Sequence, residues 1–280
     1  MSFIKENIKP FVKWVGGKTQ LIKQIEDRLP KNFNNYFEPF VGAGAIFMHL
    51  QNDKTFINDI SEELITAYNT IKETPKELMS LLKQHEIEHE KNPKEYYYKI
   101  RALDRNKNWS DVSDLKKTAR MIYLNKGCFN GLYRVNKSGF FNVPWNKKEY
   151  FKTFDKDNIL NLSKFLNENV EIHCGDFEAI AEKAQKGDFI FFDPPYDSAY
   201  TSYTSQDFDS EDQKRLFRLF KKLSDRGCYV MLTNHNTPLI NELYNVEFNI
   251  DLVKVRRAVN RQGNNRTGEE VIIYNYSIGE

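Results

Sequence analysis

The stretch Gly187-Asp188-Phe189-Ile190-Phe191-Phe192-Asp193-Pro194-Pro195-Tyr196 decides the fold of this chain. Residues 188–192 form a short apolar run, which is typical of a fully buried strand in a parallel sheet. Two consecutive prolines then end the strand, because proline fixes φ and has no N–H for the ladder. The following loop falls at the carboxyl end of the strand, where open α/β sheets bind their ligands. We therefore expect an α/β protein with a ligand site at Asp193.

The loop after this strand offers groups that suit an exocyclic amino group on a flat base. Such an amine is a poor nucleophile, since its lone pair is delocalised into the ring. The Asp193 carboxylate and the Pro194 carbonyl can accept its two N–H bonds, while Tyr196 stacks on the base. Catalysis would then rest on positioning and electrostatics. Taken alone, the tetrapeptide also fits an ordinary Pro-Pro turn with a half-buried tyrosine.

Helix and strand signals alternate on both sides of this stretch, as in α/β proteins. A helix is predicted over residues 20–29, and another over 210–222 with a capping box from Ser210 to Gln213. The predicted strands span residues 35–38, 55–57, 170–174, 188–192 and 228–233, with a terminal hairpin of residues 247–254 and 270–276.

The alternation stops at Thr74. A capping box from Thr74 to Glu77, with proline at the first helical position, predicts the start of a helix. Two further helical stretches follow, and then turn signals at Asn130-Gly131 and Ser138-Gly139 predict a β-hairpin. We therefore expect a mostly helical module over residues 73–153, inserted into one α/β domain of residues 1–72 and 154–280.

Three further strand ends carry features that suit a nucleotide-like cofactor. Gly42 and Gly44 follow the first predicted strand and would let the backbone approach a ligand closely. The dinucleotide fingerprint needs a third glycine where this chain has Phe47. Asp59 can hold ribose hydroxyls, and Asp176 can accept from an adenine amino group. A tight strand-to-helix connection remains the alternative for the glycine turn.

The string Gly-Gly-Lys-Thr near the amino terminus invites a nucleotide P-loop interpretation. That motif needs a glycine five residues before Gly17, where this chain has Val12, so we reject it. Trp14 beside two glycines and Lys18 better suits a lid on a flat cofactor that carries a carboxylate.

Composition limits the class of protein. At 280 residues with 40% hydrophobic content, the chain fits one large domain or a domain with an insertion. Cys128, Cys174 and Cys228 are widely spaced, which favours reduced thiols over a disulfide framework or a zinc site. No apolar run approaches 18 residues, and the amino terminus has no secretory pattern. We expect a cytoplasmic protein with no metal and no membrane contact.

Charge is distributed unevenly although the formal net charge is only +2. Residues 129–152 hold five basic side chains and one acidic, and residues 252–268 hold five basic and none acidic. Two local basic segments in a nearly neutral chain favour a face that binds a polyanion. Solvated loops remain the alternative.

Four ordered motifs resemble the Dam-type DNA adenine-N6 methyltransferases, most closely those paired with GATC-cutting restriction systems. They are Lys13-Trp14-x-Gly-Gly-Lys18, Glu38-Pro39-Phe40-x-Gly42-x-Gly44, Phe129-Asn130-Gly131-Leu132-Tyr133-Arg134 with Phe141-Asn142-Val143-Pro144, and Asp193-Pro194-Pro195-Tyr196. The resemblance runs over nearly the whole chain. It implies a Rossmann-like methyltransferase sheet whose insertion recognises double-stranded DNA, and S-adenosylmethionine as cofactor. A cognate restriction endonuclease would act on the same DNA site without stable binding.

The resemblance also implies roles for individual residues. The implied catalytic residues are Asp193, Pro194 and Tyr196. The implied cofactor contacts are Trp14, Lys18, Glu38, Phe40, Gly42, Gly44, Asp59, Asp176 and Asp193. For DNA, Arg134 would read a guanine edge through its bidentate guanidinium. Leu132 and Pro144 would touch neighbouring bases, Lys13 would lie near the first guanine, and Phe129 with Asn130 would wedge into the opened duplex.

Two departures and three rivals accompany this interpretation. Residues 145–148 read Trp-Asn-Lys-Lys where relatives tend to have a Gly-Arg turn, so we expect different phosphate contacts. The segment from Asp197 to Phe208 is shorter than in close relatives, so we carry over neither their lid closure nor their flanking-sequence preference. Methylation of a cytosine N4 amine or a glutamine amide is usually associated with Ser or Asn before Pro-Pro, and Asp193 favours adenine. A DNA-binding relative without catalysis is disfavoured by intact Asp59, Asp193 and Tyr196. A nicotinamide oxidoreductase lacks its third glycine.

Overall fold

A computed structural model describes residues 6–14, 16–197, 208–256 and 267–279. The helices are α1 (Ile22–Glu26), α2 (Ala45–Leu50), α3 (Glu62–Glu73), α4 (Pro75–Lys91), α5 (Pro93–Arg101), α6 (Asp114–Gly127), α7 (Lys156–Asn169), α8 (Phe177–Ala181), α9 (Ser210–Asp225) and α10 (Pro238–Tyr244). The strands are β1 (Tyr36–Glu38), β2 (Thr55–Asp59), β3 (Val170–Cys174), β4 (Phe189–Phe192), β5 (Tyr229–His235), β6 (Asn249–Arg256) and β7 (Thr267–Tyr274).

The chain divides into two compact units. The first comprises Met1–Gly17, Gly42–Gln51 and Ser61–Cys174, and the second comprises Lys18–Val41, Asn52–Ile60 and Gly175–Glu280. The predicted insertion, residues 73–153, lies within the first unit, which also holds α2, α3, α7 and β3. The domain limits expected from the sequence therefore differ from the limits of these units, and they stay a prediction.

The second unit is built on strands in the order β2-β1-β4-β5-β7-β6. β1, β2, β4 and β5 pair in parallel, whereas β7 is antiparallel to both β5 and β6. All four residues of β4 are fully buried, as expected for a strand covered on both faces. The parallel ladder brings the carboxyl ends of β1, β2, β4 and β5 to one edge of the sheet. This edge carries the loop that begins at Asp193.

Helices of the second unit cover the sheet through apolar faces. Leu216, Phe220 and Leu223 of α9 are at most 2% exposed and pack with Phe192 of β4 in one core cluster. Full burial of such a side chain contributes about 1.5–3 kcal/mol. The apolar face of α9 thus holds the helix beside the strand that carries the candidate site.

The first unit has its own core in the predicted insertion. Tyr97 of α5 and Tyr123 of α6 are fully buried, and Phe141 and Val143 of the following segment pack with them. The Tyr97 hydroxyl donates to the Val143 carbonyl at 3.0 Å. This core fixes residues 128–145 against the helices that precede them.

The sequence-based expectation of an α/β fold is confirmed, with strand limits that move by up to three residues. β3 spans the predicted residues, and the terminal hairpin is present as β6 and β7. Most of the second basic segment, residues 257–266, lies outside the described residues. The sequence patterns missed α7 and the short helices α8 and α10, and predicted too long a helix at α1.

Two predicted helix starts were wrong in detail. Thr74 precedes α4, and Pro75 is its first residue, but the Thr74 side chain makes no cap and donates instead to the Thr70 carbonyl at 3.2 Å. At α9 the capping box is formed by Asp209 and Asp212, not by Ser210 and Gln213. A carboxylate one residue earlier accepts two backbone N–H groups, which displaces the serine from the cap.

The predicted hairpin in the insertion is present in a reduced form. Single antiparallel bridges join Cys128 to Trp145 and Val135 to Phe141, outside any named strand. Asn130 adopts a left-handed φ of 57° inside a short 3₁₀ turn, a conformation that asparagine tolerates better than most residues. Residues 128–145 are called the recognition hairpin below.

Candidate active site

Asp193 immediately follows β4 in the second unit and is held by two neighbours. The Lys18 ammonium lies 2.8 Å from Asp193 Oδ1, and the Thr233 hydroxyl of β5 donates to the same oxygen at 2.8 Å. Lys18 is 7% exposed and Thr233 is fully buried. Nothing among the described residues donates to Asp193 Oδ2. One oxygen is therefore anchored, and the other can accept a hydrogen bond from a ligand.

Burial and these two donors act in opposite directions on the ionisation of Asp193. Burial raises the pKa of the Asp193 carboxyl above its ordinary value, and the Glu270 carboxylate raises it further. Lys18 and the Thr233 hydroxyl lower the pKa and offset only part of this effect. The carboxyl group therefore ionises at a higher pH than an exposed aspartate does.

Tyr196 is fixed on three sides. Its hydroxyl donates to Glu270 Oε2 of β7 at 2.9 Å, and the Lys18 Nζ lies 4.5 Å from its ring centroid. The His235 ring packs against it edge to face, with centroids 4.8 Å apart. Burial, Asp193 and Glu270 all raise the pKa of the Tyr196 phenol, so the ring stays neutral. A neutral aromatic ring held beside Asp193 can bind a flat base.

The two proline carbonyls differ in their partners. Gln213 of α9 donates from Nε2 to the Pro195 carbonyl at 3.0 Å. Gln213 Oε1 in turn accepts from Asn234 of β5 at 3.1 Å, and the Asn234 Oδ1 accepts from the Asp197 N–H at 2.9 Å. The Pro194 carbonyl receives no hydrogen bond in the part of the chain that the structure describes. It is therefore available to a ligand, and its predicted contact with an amino group stays a prediction.

Gln213 and Asn234 are functional residues that sequence reasoning missed. Both are at most 1% exposed, and together they hold the loop from Pro195 to Asp197 against α9 and β5. The sequence held a signal, because each polar side chain lies in an element whose other buried positions are mostly apolar. Buried polar side chains of this kind are normally hydrogen-bonded for a structural or functional reason.

Asn58 joins three strand-end segments at the same edge of the second unit. Its side-chain amide donates to the carbonyls of Pro39 and Gly175 at 3.0 and 2.9 Å. Its own carbonyl accepts from the Val41 N–H at 2.9 Å. Asp59 comes next, half-buried at the end of β2, with its carbonyl accepting from the Gly175 N–H. Asp59 thus lies at the strand edge where it was predicted.

Glu38 and Phe40 occupy the segment after β1. Glu38 is 3% exposed and accepts a hydrogen bond of 2.8 Å from the Tyr36 hydroxyl. Phe40 stacks on Phe177 with centroids 5.0 Å apart and meets Phe208 edge to face. A buried carboxylate and an aromatic cluster therefore lie beside the parallel strand ends.

Asp176 has other partners in this structure. Its Oδ1 accepts from the Glu178 N–H at 2.9 Å, which caps α8, and its Oδ2 pairs with Arg215 Nη2 at 2.6 Å. Both oxygens already accept hydrogen bonds, so a cofactor amino group would have to share one of them with its present donor. Its proposed role stays a prediction.

The glycine turn belongs to the first unit. Gly42 and Gly44 have φ of 49° and 76°, which favour glycine. A Cβ at Gly44 would lie 2.2 Å from the Phe47 ring and 2.6 Å from the Tyr68 hydroxyl, so no other residue fits there without a shift. The Tyr68 hydroxyl donates to the Gly42 carbonyl at 2.9 Å. Trp14, also in this unit, is half-buried.

The residues predicted to contact DNA all belong to the first unit, Lys13 near its start and the others in the recognition hairpin. Lys13, Asn130, Arg134 and Pro144 are exposed, and Phe129 is 52% exposed although it is a large apolar side chain. Leu132 is half-buried. The Phe129 N–H donates to the Pro144 carbonyl at 2.9 Å, which joins the two arms of the recognition hairpin.

Arg134 is oriented by its neighbour across the hairpin. Its Nε donates to Asn142 Oδ1 at 2.7 Å. The two terminal nitrogens have no partner among the described residues and remain able to bind a planar acceptor pair. The predicted base-reading arginine is thus exposed and held by one bond.

The described residues include neither a metal-binding cluster nor a membrane-spanning helix. Residues 6–14, 16–197, 208–256 and 267–279 hold no cluster of three or more side chains that could bind a metal ion. No helix in the same ranges is long and apolar enough to cross a membrane.

Fold and site together define an α/β protein with a carboxylate and an open carbonyl at the ends of its parallel strands. The family described as D12 class N6 adenine-specific DNA methyltransferase matches residues 14–259, and the chain belongs to this family. The resemblance inferred from four motifs is therefore confirmed, and adenine is favoured over the cytosine and glutamine rivals.

Individual relatives extend over nearly the whole chain. A protein of Lactococcus lactis subsp. cremoris named Type II methyltransferase M1.LlaDCHI is 43% identical over 279 residues, covering 97% of both chains. The DNA adenine methylase of Escherichia coli strain K12 is 30% identical over 283 residues, covering 99% of this chain and 98% of that one. A solved putative methyltransferase from Streptococcus mutans in complex with SAH covers 91% of this chain at 11% identity, with a TM-score of 0.38, which is too low to support an argument.

Proposed function

We propose that this protein transfers a methyl group from S-adenosylmethionine to N6 of adenine in duplex DNA, within the sequence GATC. The observation that carries the proposal is the pair of unoccupied acceptors, Asp193 Oδ2 and the Pro194 carbonyl, beside the fixed ring of Tyr196. Two acceptors suit the two N–H bonds of an exocyclic amine, and a neutral ring suits the face of its base. The GATC target rests on the resemblance of the motifs.

The residues present fit this cofactor. In the first unit, Gly42 and Gly44 keep a left-handed backbone, and Gly44 packs too closely on Phe47 and Tyr68 to carry a side chain, so the turn offers bare backbone at both positions. In the second unit, Lys18 can bind a carboxylate, Glu38 and Asp59 can accept from ammonium and hydroxyl groups, and Phe40 offers an aromatic face. When bound, S-adenosylmethionine supplies an electrophilic methyl group on a sulfonium centre.

Asp193 and Pro194 activate and align the amine in this proposal. Hydrogen bonds from both N6 protons to Asp193 Oδ2 and the Pro194 carbonyl draw the nitrogen lone pair out of the purine ring. Tyr196 packs against the base and keeps N6 in line with the methyl donor. The raised pKa of Asp193 lets its Oδ2 take the proton that N6 loses after transfer.

Adenine reaches these acceptors only outside the base stack. We therefore include base flipping, at an unstacking cost of a few kcal/mol. Phe129, exposed at the base of the recognition hairpin, and Asn130 beside it would fill the space that the base leaves. Lys13 and Arg134 would bind guanine edges, and Leu132 and Pro144 would contact neighbouring bases.

Sequencing methylated adenines in DNA exposed to the purified protein and S-adenosylmethionine tests the proposal. We expect methylation at GATC and its loss in Asp193→Ala, which should keep much of the DNA affinity because phosphate contacts supply most of it. Lys186→Ala, an exposed change before β4, is the matched control. Methylation by Asp193→Ala would disprove the catalytic role, and methylation at another sequence would disprove the target.

A relative named as a Type II methyltransferase favours a second proposal, about the biological role of the methylation. We infer that methylation protects DNA against a restriction endonuclease that acts on the same site without binding this protein stably. DNA treated with the protein should resist a GATC-cutting endonuclease that methylation blocks. Cleavage at the same rate as untreated DNA would contradict this inference.

A further inference from the structure

The recognition hairpin is tied to the segment that carries Trp14 inside the first unit. The Trp14 indole stacks on the Tyr133 ring, with centroids 4.8 Å apart and 24° between the planes. Tyr133 lies between Leu132 and Arg134, which are proposed to contact bases. One aromatic pair therefore joins a proposed cofactor contact to the proposed reader of the DNA sequence.

Tyr133 is anchored on the sides that do not face Trp14. Its hydroxyl donates to a Glu63 carboxyl oxygen of α3, and its ring packs against Phe141 at 5.7 Å between centroids. Burial raises the pKa of Glu63 and that of Tyr133. A neutral phenol held by a carboxyl group and a packed ring cannot rotate without losing both contacts.

Trp14 also lies beside the glycine turn. A Cβ built on Gly42 would lie 3.4 Å from Trp14 Cδ1, so the indole borders the space that a side chain at Gly42 would occupy. The Gly42 carbonyl is held in turn by the Tyr68 hydroxyl at 2.9 Å. Trp14 thus stacks on Tyr133 and lies next to the proposed cofactor turn.

A second tie keeps the same two segments in register. The Asn125 side chain, fully buried, accepts from the Lys13 N–H at 2.8 Å and donates to the Lys13 carbonyl at 2.7 Å. It also donates to the Gly131 carbonyl at 3.2 Å. A Cβ at Gly131 would lie 2.5 Å from Lys13 Cδ, so the hairpin backbone packs directly on this lysine.

We propose that Tyr133 is a positioning residue that couples cofactor binding to DNA binding. A cofactor that fixes Trp14 also fixes the stacked Tyr133, and with it the neighbouring Leu132 and Arg134. DNA that orders the hairpin fixes Trp14 in the same way. This inference rests on the proposed function, and the reciprocity of binding free energies requires the effect to be equal in both directions.

Calorimetry with S-adenosylhomocysteine, in the absence and presence of a GATC duplex, measures the coupling. The wild-type protein should bind the probe more tightly with DNA, by roughly fivefold or more, the usual lower limit of such coupling. Tyr133→Leu, which fills apolar volume without a ring to stack, should bring the ratio of Kd values to about one. Tyr133→Phe keeps the stack and should restore the ratio.

Two further variants keep the result interpretable. Tyr133→Met is a second replacement without a ring, because its flexible side chain adapts if leucine disturbs folding. Tyr150→Ala, 70% exposed in the same part of the chain, removes a tyrosine that is not in the stack and should leave the ratio unchanged. A wild-type ratio of one, or an unchanged ratio in both ring-free variants, would overturn the coupling. Absence of any binding by the wild-type protein would overturn the proposed function as well.

Discussion

Asp193 is largely enclosed by protein, yet the proposed reaction needs its carboxyl group to be ionised. Its neighbours determine the pH at which the group ionises. Burial and Glu270 raise the pKa of its carboxyl, while Lys18 and Thr233 lower it. Only the ionised form can accept from both N6 and its anchoring donors. Methyl transfer should therefore fall as pH drops through a pKa that is higher than that of an ordinary aspartate.

Thr233→Val tests this account. The Thr233 hydroxyl donates to Asp193 Oδ1 and stabilises the ionised form, so its removal raises the pKa of Asp193 further. A hydrogen bond to a charged group contributes about 1.5–3 kcal/mol, which corresponds to roughly 1–2 pH units. The acid limb of kcat should move to higher pH by that amount, with a smaller change at alkaline pH. Single-turnover rates across pH measure it.

Thr55→Val is the matched control for this shift. Thr55 is also fully buried in a strand, but it begins β2 and donates to the Asn52 carbonyl, away from the carboxyl ends of the strands. Its acid limb should coincide with that of the wild-type protein. An acid limb that stays in place in Thr233→Val would mean that Asp193 does not limit the reaction at low pH.

Arg134→Ala should relax discrimination at one guanine of the target. The guanidinium is exposed, oriented through Nε by Asn142, and able to bind O6 and N7 together. Loss of this contact costs about 1–3 kcal/mol on the correct base and little on a substituted one. The ratio of kcat/KM for GATC and for each single-base variant measures it. Lys137→Ala in the same hairpin should weaken all sequences alike, and the same uniform loss in Arg134→Ala would identify a phosphate contact.

At the residue scale, the sequence indicated candidate reactive side chains more readily than the residues that contact them. Asp193 and Tyr196 could be proposed because the strand, the prolines and the aromatic ring are adjacent in the chain. The Lys18–Asp193 pair spans 175 positions, and no local pattern reports such a contact. Asp176 was placed at a strand end correctly, but its pairing with Arg215 depends on how α9 packs, which sequence spacing does not specify.

At the scale of elements, α9 and β5 carry the loop through one chain of hydrogen bonds. Gln213→Leu removes the donor to the Pro195 carbonyl and leaves the buried Asn234 amide without its acceptor. An unpaired buried polar group costs about 1–3 kcal/mol, or roughly 2–4 °C in Tm per kcal/mol for a chain of this length. We expect a lower Tm and a lower kcat, since the Pro194 carbonyl loses its support. Calorimetric unfolding and methyl-transfer rates measure the two effects.

Lys214→Gln provides the comparison for Gln213→Leu, because Lys214 is the next residue of α9 and its side chain is 44% exposed. It should change neither Tm nor kcat. If Gln213→Leu lowers Tm but leaves kcat unchanged, the bonds to the loop would be structural only, and α9 would have no part in positioning Pro194.

Element types were predictable to the extent that they depend on local sequence. The run of residues 188–192 identified β4, because a continuous apolar run bounded by glycine and proline fits a buried strand. The caps of α4 and α9 were wrong, since several neighbouring polar residues compete for the same backbone N–H groups. The grouping of α2, α3 and α7 with the predicted insertion in the first compact unit depends on long-range packing, which periodicity does not report.

At the scale of the whole molecule, a net charge of +2 gives little long-range attraction for DNA. Affinity should therefore depend on the local basic segment of residues 129–152. Replacing Lys137, Lys147 and Lys148, all exposed, by glutamine removes three positive charges there. If each contacts a phosphate, the slope of log K against log salt should become less negative by up to about 2.7. Binding titrations on one duplex across salt concentrations measure this slope.

A second triple variant separates local charge from total charge. Lys31, Lys54 and Lys186 are exposed in the second unit and precede β1, β2 and β4, at the amino ends of the parallel strands. Their replacement by glutamine removes the same three charges from the opposite edge of the sheet to Asp193. The salt slope should stay that of the wild-type protein, because these lysines neutralise no phosphate. Equal slopes in the two triple variants would mean that total charge, and not the basic segment of residues 129–152, governs DNA affinity.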